Sequence, residues 1–206
     1  MIYLIENPIG YKLKQKAYYD HDASNNMFLF SDGRYIKQSE INKPLIFKTK
    51  LLAKDVLAFD HVINDSECLL INEQTVTLLK KIAPEEVQFF GTEIRCKDSV
   101  LTNYKLVNVT QNIEGINYEK SVYKWNGDPS DKIILLKRLV LKQNCMNGYK
   151  IARLAEFSGH ILATEEVKQA FESARVTGLR FVLPEDYYAE IYPYYAENSV
   201  WPRAME

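Results

Sequence analysis

The strongest constraint on this chain is a repeat. Leu69-Leu70-Ile71-Asn72-Glu73 returns as Ile161-Leu162-Ala163-Thr164-Glu165 at an offset of 92. Without any gap, the same offset pairs Leu79 with Phe171, Val87 with Leu179 and Phe89 with Phe181. Each copy reads as strand, helix, strand. The apolar run ends at Asn72 or Thr164, polar residues whose side-chain oxygens suit a helix N-cap, because they can accept an orphan backbone N–H. Glu73, and Glu165 with Glu166, follow in the first turn, where the helix dipole favours carboxylates. Val167, Ala170, Phe171 and Ala174 then recur at i, i+3, i+4 and i+7, the spacing of one helical face, and Thr75, Leu78, Leu79 and Ile82 are their counterparts. Pro84 ends the first helix and Gly178 lies just past the second. An internal duplication and two similar units converging on good capping chemistry read alike in one sequence.

The remaining signals are mostly those of strands. Met27–Phe30 and residues 35–36 flank Ser31-Asp32-Gly33-Arg34, which predicts a hairpin turn from its Asp-Gly step. Further strands are expected at 45–48, 87–96, 105–109, 121–125, 132–141, 150–154, 160–163 and 179–183, with a short helix at 51–58. The cluster Asn126-Gly127-Asp128-Pro129-Ser130-Asp131 is a turn signal, and the continuous apolar run 133–136 predicts a strand buried on both faces. Strands in excess over two or three helices give an α+β class with mostly antiparallel strands, the two similar units covering about 69–90 and 161–182. No low-complexity linker divides the chain. It reads as one domain over 1–206, or as an irregular N-terminal lobe (1–65) and an α+β lobe (66–206), with an acidic, aromatic tail at 184–206.

Composition removes several functions. The net charge is −1, with none of the basic excess that binding bare nucleic acid requires. By consecutive quarters (1–50, 51–100, 101–150, 151–206) the balance of Lys and Arg over Asp and Glu alternates: +3, −4, +4, −4. Two acidic regions of this kind would attract a basic partner; a solvated surface with scattered charges is the plainer account. There is no apolar run long enough to span a membrane, and residues 1–7 carry Glu6 and no basic cluster, unlike a signal peptide. Three cysteines, Cys68, Cys96 and Cys145, suit reduced thiols in the cytoplasm rather than a disulfide framework. Nucleotide-binding glycine loops, the hydrolase G-x-S-x-G and the H-E-x-x-H metal motif are absent, so no catalytic residue, metal site or cofactor is assigned. Asp20-His21-Asp22 and Asp60-His61 are the nearest things to a metal site or a catalytic dyad, and both read more simply as surface turns. His160 precedes an apolar strand and reads as a packed residue.

The unusual feature is the C-terminus. Tyr187, Tyr188, Tyr192, Tyr194, Tyr195 and Trp201 lie among Glu185, Asp186, Glu190 and Glu197, with no Lys or Arg after Arg180 until Arg203. One account is a tail that packs its rings on its own core. The other is a contact surface, in which Tyr and Trp supply rigid area at little rotamer cost and carboxylates steer in a cationic partner. Four carboxylates would repel phosphates, so direct stacking on nucleic acid is disfavoured.

The segment Ser158-Gly159-His160-Ile161-Leu162-Ala163-Thr164-Glu165-Glu166-Val167-Lys168-Gln169-Ala170-Phe171, continuing to Thr177-Gly178-Leu179-Arg180-Phe181, resembles the C-terminal signature of immunity protein family 11 of bacterial polymorphic toxin systems. Asn26 to Arg34, Leu106-Val107-Asn108-Val109 and the stretch from Tyr123-Lys124-Trp125 to Leu141 are similar to its early and middle parts, so the resemblance covers roughly residues 1–186. It implies a non-enzymatic cytoplasmic antidote that binds a cognate toxin, often an HNH/AHH-type nuclease, and blocks its active site or substrate groove. The family carries no binding residues to transfer, so Glu185, Asp186, Tyr187, Tyr188, Glu190, Tyr192, Tyr194, Tyr195, Glu197 and Trp201 are the toxin-binding candidates on composition alone. A small hydrolase with an unrecognised site and a protein-binding scaffold are the alternatives. The enzyme requires His21, His61 or Asp residues clustered in a polar pocket.

Overall fold

A computed structural model describes residues 1–10, 15–124, 135–157 and 159–188. The chain opens with β1 (Ile2–Glu6) and runs through β2 (Tyr18–Tyr19), β3 (Ile46–Lys48) and a single helical turn, α1 (Ala53–Val56). Then come β4 (Leu69–Asn72), α2 (Glu73–Ile82), β5 (Val87–Gly91), β6 (Glu93–Arg95), β7 (Val100–Leu101), β8 (Tyr104–Val109) and β9 (Asn112–Ile113). The last third holds β10 (Val122–Lys124), β11 (Leu135–Arg138), β12 (Ile151–Leu154), β13 (Ile161–Thr164), α3 (Glu165–Ser173) and β14 (Arg180–Val182). This is an α+β fold, and its strand pairs are mostly antiparallel.

The sequence repeat is a repeat of topology. β4 and β5 do not pair with each other; β8 lies between them, antiparallel to both, with Leu106 opposite Leu70 on one side and Phe90 on the other. In the same way β1 lies between β13 and β14, with Leu4 opposite Leu162 and Val182. The offset of 92 carries Leu70 to Leu162 and Phe90 to Val182, so Leu106 and Leu4 hold equivalent places. The helix starts also match. Glu73 N–H donates to the Asn103 carbonyl at 3.2 Å, and Glu165 N–H donates to the Met1 carbonyl at 3.0 Å. Each acceptor is the residue just before the inserted strand.

Three apolar clusters separate the layers. α2 and α3 pack together between the two sheets, over Ile71, Leu79 and Val107 from one unit and Ile5, Ala163 and Phe171 from the other. The far face of β4-β8-β5 is covered by the β2-β3-β6-β7 sheet and the N-terminal segments, with Leu70, Phe47 and Ile94 fully buried. The far face of β14-β1-β13-β12-β9 is covered by Leu136, Leu139, Cys145 and Met146. Both sheets are thus buried on both sides, which is why their strands read as continuous apolar runs rather than alternating ones. Burying Leu79 and Phe171 stabilises the fold by about 1.5–3 kcal/mol each.

Several local expectations change. Met27–Phe30 is a 3₁₀ turn capped by Asn26, not the arm of a hairpin. Side chains take the place of a partner strand for the segment that follows. Gln88 accepts from Ile36 N–H and donates to its carbonyl, and Asn108 and Asn112 donate to the carbonyls of Arg34 and Asp32. The single strand expected at 87–96 bends at Thr92 into β5 and β6, which belong to different sheets. Asn72 caps α2 as its chemistry suggests, accepting from Thr75 N–H at 3.0 Å, whereas the Thr164 hydroxyl makes no capping bond. Ala174 is exposed at the end of α3 rather than on its buried face. The turn cluster 126–131 lies outside the described residues.

The two units are clasped at Thr177-Gly178. Asp60 accepts from the Thr177 N–H and hydroxyl, each at 2.8 Å, and from Asn72 Nδ2 at 2.7 Å. His61 N–H donates to the Thr177 carbonyl at 3.0 Å. Gly178 has φ 89°, and a Cβ there would press on the His61 carbonyl oxygen and carbon, so both the backbone conformation and the close approach require glycine. At the equivalent place in the first unit stands Glu86, whose carboxylate accepts from the N–H groups of Lys150 and Ile151 at 2.8 and 2.6 Å. We expect Gly178→Ala to destabilise the protein by about 3–4 kcal/mol in urea unfolding, through strain plus a backbone clash. Gly148→Ala, also at positive φ but in open space, should cost only about 1–2 kcal/mol. Leu4→Ala and Leu106→Ala should each cost about 2–5 kcal/mol, with similar values reflecting their equivalent places.

Candidate functional site

Beyond β14 the chain makes one 3₁₀ turn, Pro184–Asp186, closed by Asp186 N–H donating to the Leu183 carbonyl at 3.0 Å. Proline suits the first position because its fixed φ is already helical and no N–H is needed there. Pro184 is buried, and the turn rests on β1 and β11, so Glu185 and Asp186 are left exposed on a fixed support. Beside them is an open groove of about 430 Å³, lined by Met1, Ile2, Leu139, Leu141, Leu183 and Glu185 among others.

Tyr187 divides the two accounts of the C-terminus. Its ring meets His160 edge-on at 4.6 Å, and His160 stacks on Phe157 at 4.5 Å. His160 Nδ1 lies 3.1 Å from Glu6 Oε1, so β1 holds the imidazole from the other side. Tyr187 is therefore half-buried against the core, while the two carboxylates before it face solvent. Tyr188 is half-buried as well. Glu190, Tyr192, Tyr194, Tyr195, Glu197 and Trp201 lie outside the described residues.

The groups that an enzyme would need are in structural positions. Asp20 pairs with Lys48 at 2.5 Å, and the ammonium beside it holds its carboxyl below the usual range. His21 is exposed, edge-on to Tyr19. His61 is buried in the clasp, with Nδ1 3.0 Å from the Gly178 carbonyl and Nε2 3.4 Å from that of Cys68. His21 and His61, the two candidates for a catalytic cluster, are thus not brought together. Among the described residues no group of three or more His, Cys, Asp or Glu is arranged to hold a metal ion. Burial pushes the Cys68 thiol up to about 12, and it raises Cys96 and Cys145 too, which favours the thiol over the thiolate.

A second concavity has almost no signal in the sequence. A cavity of about 320 Å³ opens between the Met27–Phe30 turn, the loop at 65–68 and Arg153 of β12. Its one advance signal was a charged residue inside the apolar run Ile151-Ala152-Arg153-Leu154.

His61 gives the protein a pH dependence. Burial holds its pKa below the ordinary value, against the opposing pull of the Cys68 and Gly178 carbonyls. The unfolded chain therefore binds more protons near pH 6.5, so this contribution is fully present above that value and is lost as the pH falls toward the folded pKa. Urea unfolding should show stability falling from about pH 7.5 to about pH 5.5, with a shallower slope in His61→Gln.

A search of curated proteins finds no match to the chain. No helix among the described residues is long and apolar enough to cross a membrane. The family model of the immunity protein family Imm11 matches residues 12–185. That span takes in both strand-helix-strand units, the clasp between them and the turn carrying Glu185, and with most of its length matched the chain belongs to the immunity protein family Imm11.

Proposed function

We propose that the protein neutralises a cognate bacterial toxin by binding it, in the cytoplasm of the cell it protects, and covering the toxin's active site or substrate groove. The toxin class that fits best is a nuclease of the HNH/AHH type. The contact face is the acidic, aromatic C-terminal segment: Glu185 and Asp186 on their turn, Tyr188, and then Glu190, Tyr192, Tyr194, Tyr195, Glu197 and Trp201. Tyr187 acts as the anchor that ties the turn carrying Glu185 and Asp186 to the core.

One observation carries the reading. Two exposed carboxylates stand on a turn whose neighbours, Pro184 and Tyr187, are tied into the core. A backbone held this way lowers the ordering cost of binding through these charges. A nuclease groove is cationic because it binds phosphates, and fixed carboxylates both steer such a surface in and mimic its substrate. Neutralisation of this kind needs no chemistry from the protein.

The test is growth of a susceptible strain expressing the toxin encoded beside this gene, with and without the protein, followed by co-purification. Rescue with a stable complex supports the reading; rescue without one points to an enzyme acting on the toxin or its damage. Reversing both charges (Glu185→Lys with Asp186→Lys) should slow association about tenfold at low salt and flatten its salt dependence. Unchanged association kinetics would remove the C-terminal turn from the interface.

A further inference from the structure

We propose that the groove beside the Pro184–Asp186 turn receives a large apolar side chain of the bound toxin, one flanked by a basic residue, and that this contact sets how long the complex lasts. The inference rests on the neutralisation-by-binding reading and deepens it. The carboxylates of the turn draw the toxin in, and the groove holds it.

The inside of the groove is apolar. Leu139 is 1% exposed and so lies at its base, and Ile2, Leu141 and Leu183 line it further out. The polar side chains of the lining, Lys142, Gln143, Asn144 and Glu185, are all exposed and so form the rim. Leu183 is 38% exposed. An apolar side chain laid in the groove takes its own surface and that of Leu183 out of water, which is favourable. A charged side chain placed as deep would lose its hydration against leucines.

Both walls are held by backbone hydrogen bonds. On one, Asn117 N–H donates to the Val140 carbonyl at 2.8 Å and Lys142 N–H donates to the Gly115 carbonyl at 2.7 Å. Val140 N–H donates to Ser121 Oγ at 2.9 Å. Glu156 steadies the segment behind this wall, accepting from the N–H groups of Gly115 and Ile116 at 3.1 and 3.0 Å. On the other wall the Leu183 carbonyl accepts from Asp186 N–H at 3.0 Å, and Pro184 is buried. These wall groups are paired already, which leaves the groove apolar in its backbone as well. It is formed before binding, so filling it carries little ordering cost.

Charge says which molecule fills it. Glu185 belongs to both features: it lines the groove and carries one of the steering charges. A cationic surface drawn onto Glu185 therefore lies over the groove, so the steered partner and the occupant are one molecule. On the side of Glu185 the inserted residue has a basic neighbour. On the other wall Lys142 holds its ammonium 3.2 Å from the Glu114 carbonyl, and a cation there repels a second basic neighbour. The groove thus reads an apolar residue with a basic flank on one side only. Its volume of about 430 Å³ admits a leucine, phenylalanine or tryptophan side chain. A large apolar anchor in a pocket with a polar rim is the usual make-up of an interface hot spot.

The experiment is surface plasmon resonance with the catalytically inactivated toxin encoded beside this gene, against the full-length protein and its variants, each checked for folding by urea unfolding. Leu183→Gln, neutral and similar in size, should speed dissociation about tenfold and leave the association rate within about twofold of the wild type. Leu141→Gln should act in the same direction. Replacing one apolar residue on the toxin's basic surface by alanine should speed dissociation from the wild type and add little in Leu183→Gln. If both folded variants dissociate within about twofold of the wild-type rate, the groove is not a contact. Slower association on reversing Glu185 and Asp186 would then leave the C-terminal reading standing. With toxin kinetics unchanged, a shift of Trp201 fluorescence in Leu183→Gln, read in a Trp125→Phe background, would give the groove to the chain's own C-terminal segment. A wild-type dimer in sedimentation that Leu183→Gln reduces to a monomer would give it to a second copy. Either result overturns the proposal, and no complex with the wild-type protein would overturn both readings.

Discussion

The structure depends on filling a gap. A strand followed by a helix and a second, parallel strand can leave the two strands one strand-width apart. Their facing N–H and C=O groups must then be paired, because unpaired backbone polar groups are too costly to bury. In the first unit β8 fills the space, from the residues just after it in sequence. In the second the filler is β1, from the other end of the chain. The second unit therefore cannot complete its sheet without the first six residues. The start of α3 depends on them as well, through the Met1 carbonyl that accepts the Glu165 N–H.

That dependence reaches the candidate functional face. β1 is the central support of the C-terminal end of the fold. It pairs with β14, its Glu6 faces His160, and the Pro184–Asp186 turn rests against it. The exposed carboxylates are thus positioned by a chain of contacts that starts at Leu4, buried between Leu162 and Val182. The clasp at Thr177-Gly178 acts on the other side of the same sheet. It ties β14 to the loop at 60–61 and hence to the first unit. An apolar core sets the shape, and a few hydrogen-bonded joints set how the two units sit on each other.

The charged groups fall into two kinds. Glu185 and Asp186 face water, where their field is long-ranged but salt-screened and suits steering. Arg153 is buried instead, with one Nη pointing to the Phe30 carbonyl. Two of the three histidines, which first suggest chemistry, serve packing. His61 is buried beside the clasp, and His160 is stacked on Phe157 with the Tyr187 ring edge-on to it.

Much of this was legible in the residues. The repeat at an offset of 92, the caps, and the breaks at Pro84 and Gly178 located both helices and their flanking strands, because those signals are local. The α+β class followed from counting them. The resemblance carried by Ser158 to Phe181 led to the family. Non-local facts were not legible. Nothing in Ile2-Tyr3-Leu4-Ile5 says that it completes a sheet formed by residues more than 150 positions away. The Asp-Gly step at 32–33 lies at a bend rather than a hairpin turn, and Gln88, Asn108 and Asn112, all far along the chain, hold the segment around it in an irregular course. Likewise Tyr187 and Glu185 look alike in composition, as parts of one acidic, aromatic tail. Only folding separates them, because a ring gains by meeting His160 in the core while a carboxylate two residues earlier keeps its hydration outside it. Sequence alone determined what each segment prefers to be. Tertiary structure decided which of those segments meet, since pairing, burial and charge placement depend on neighbours that the chain order does not reveal.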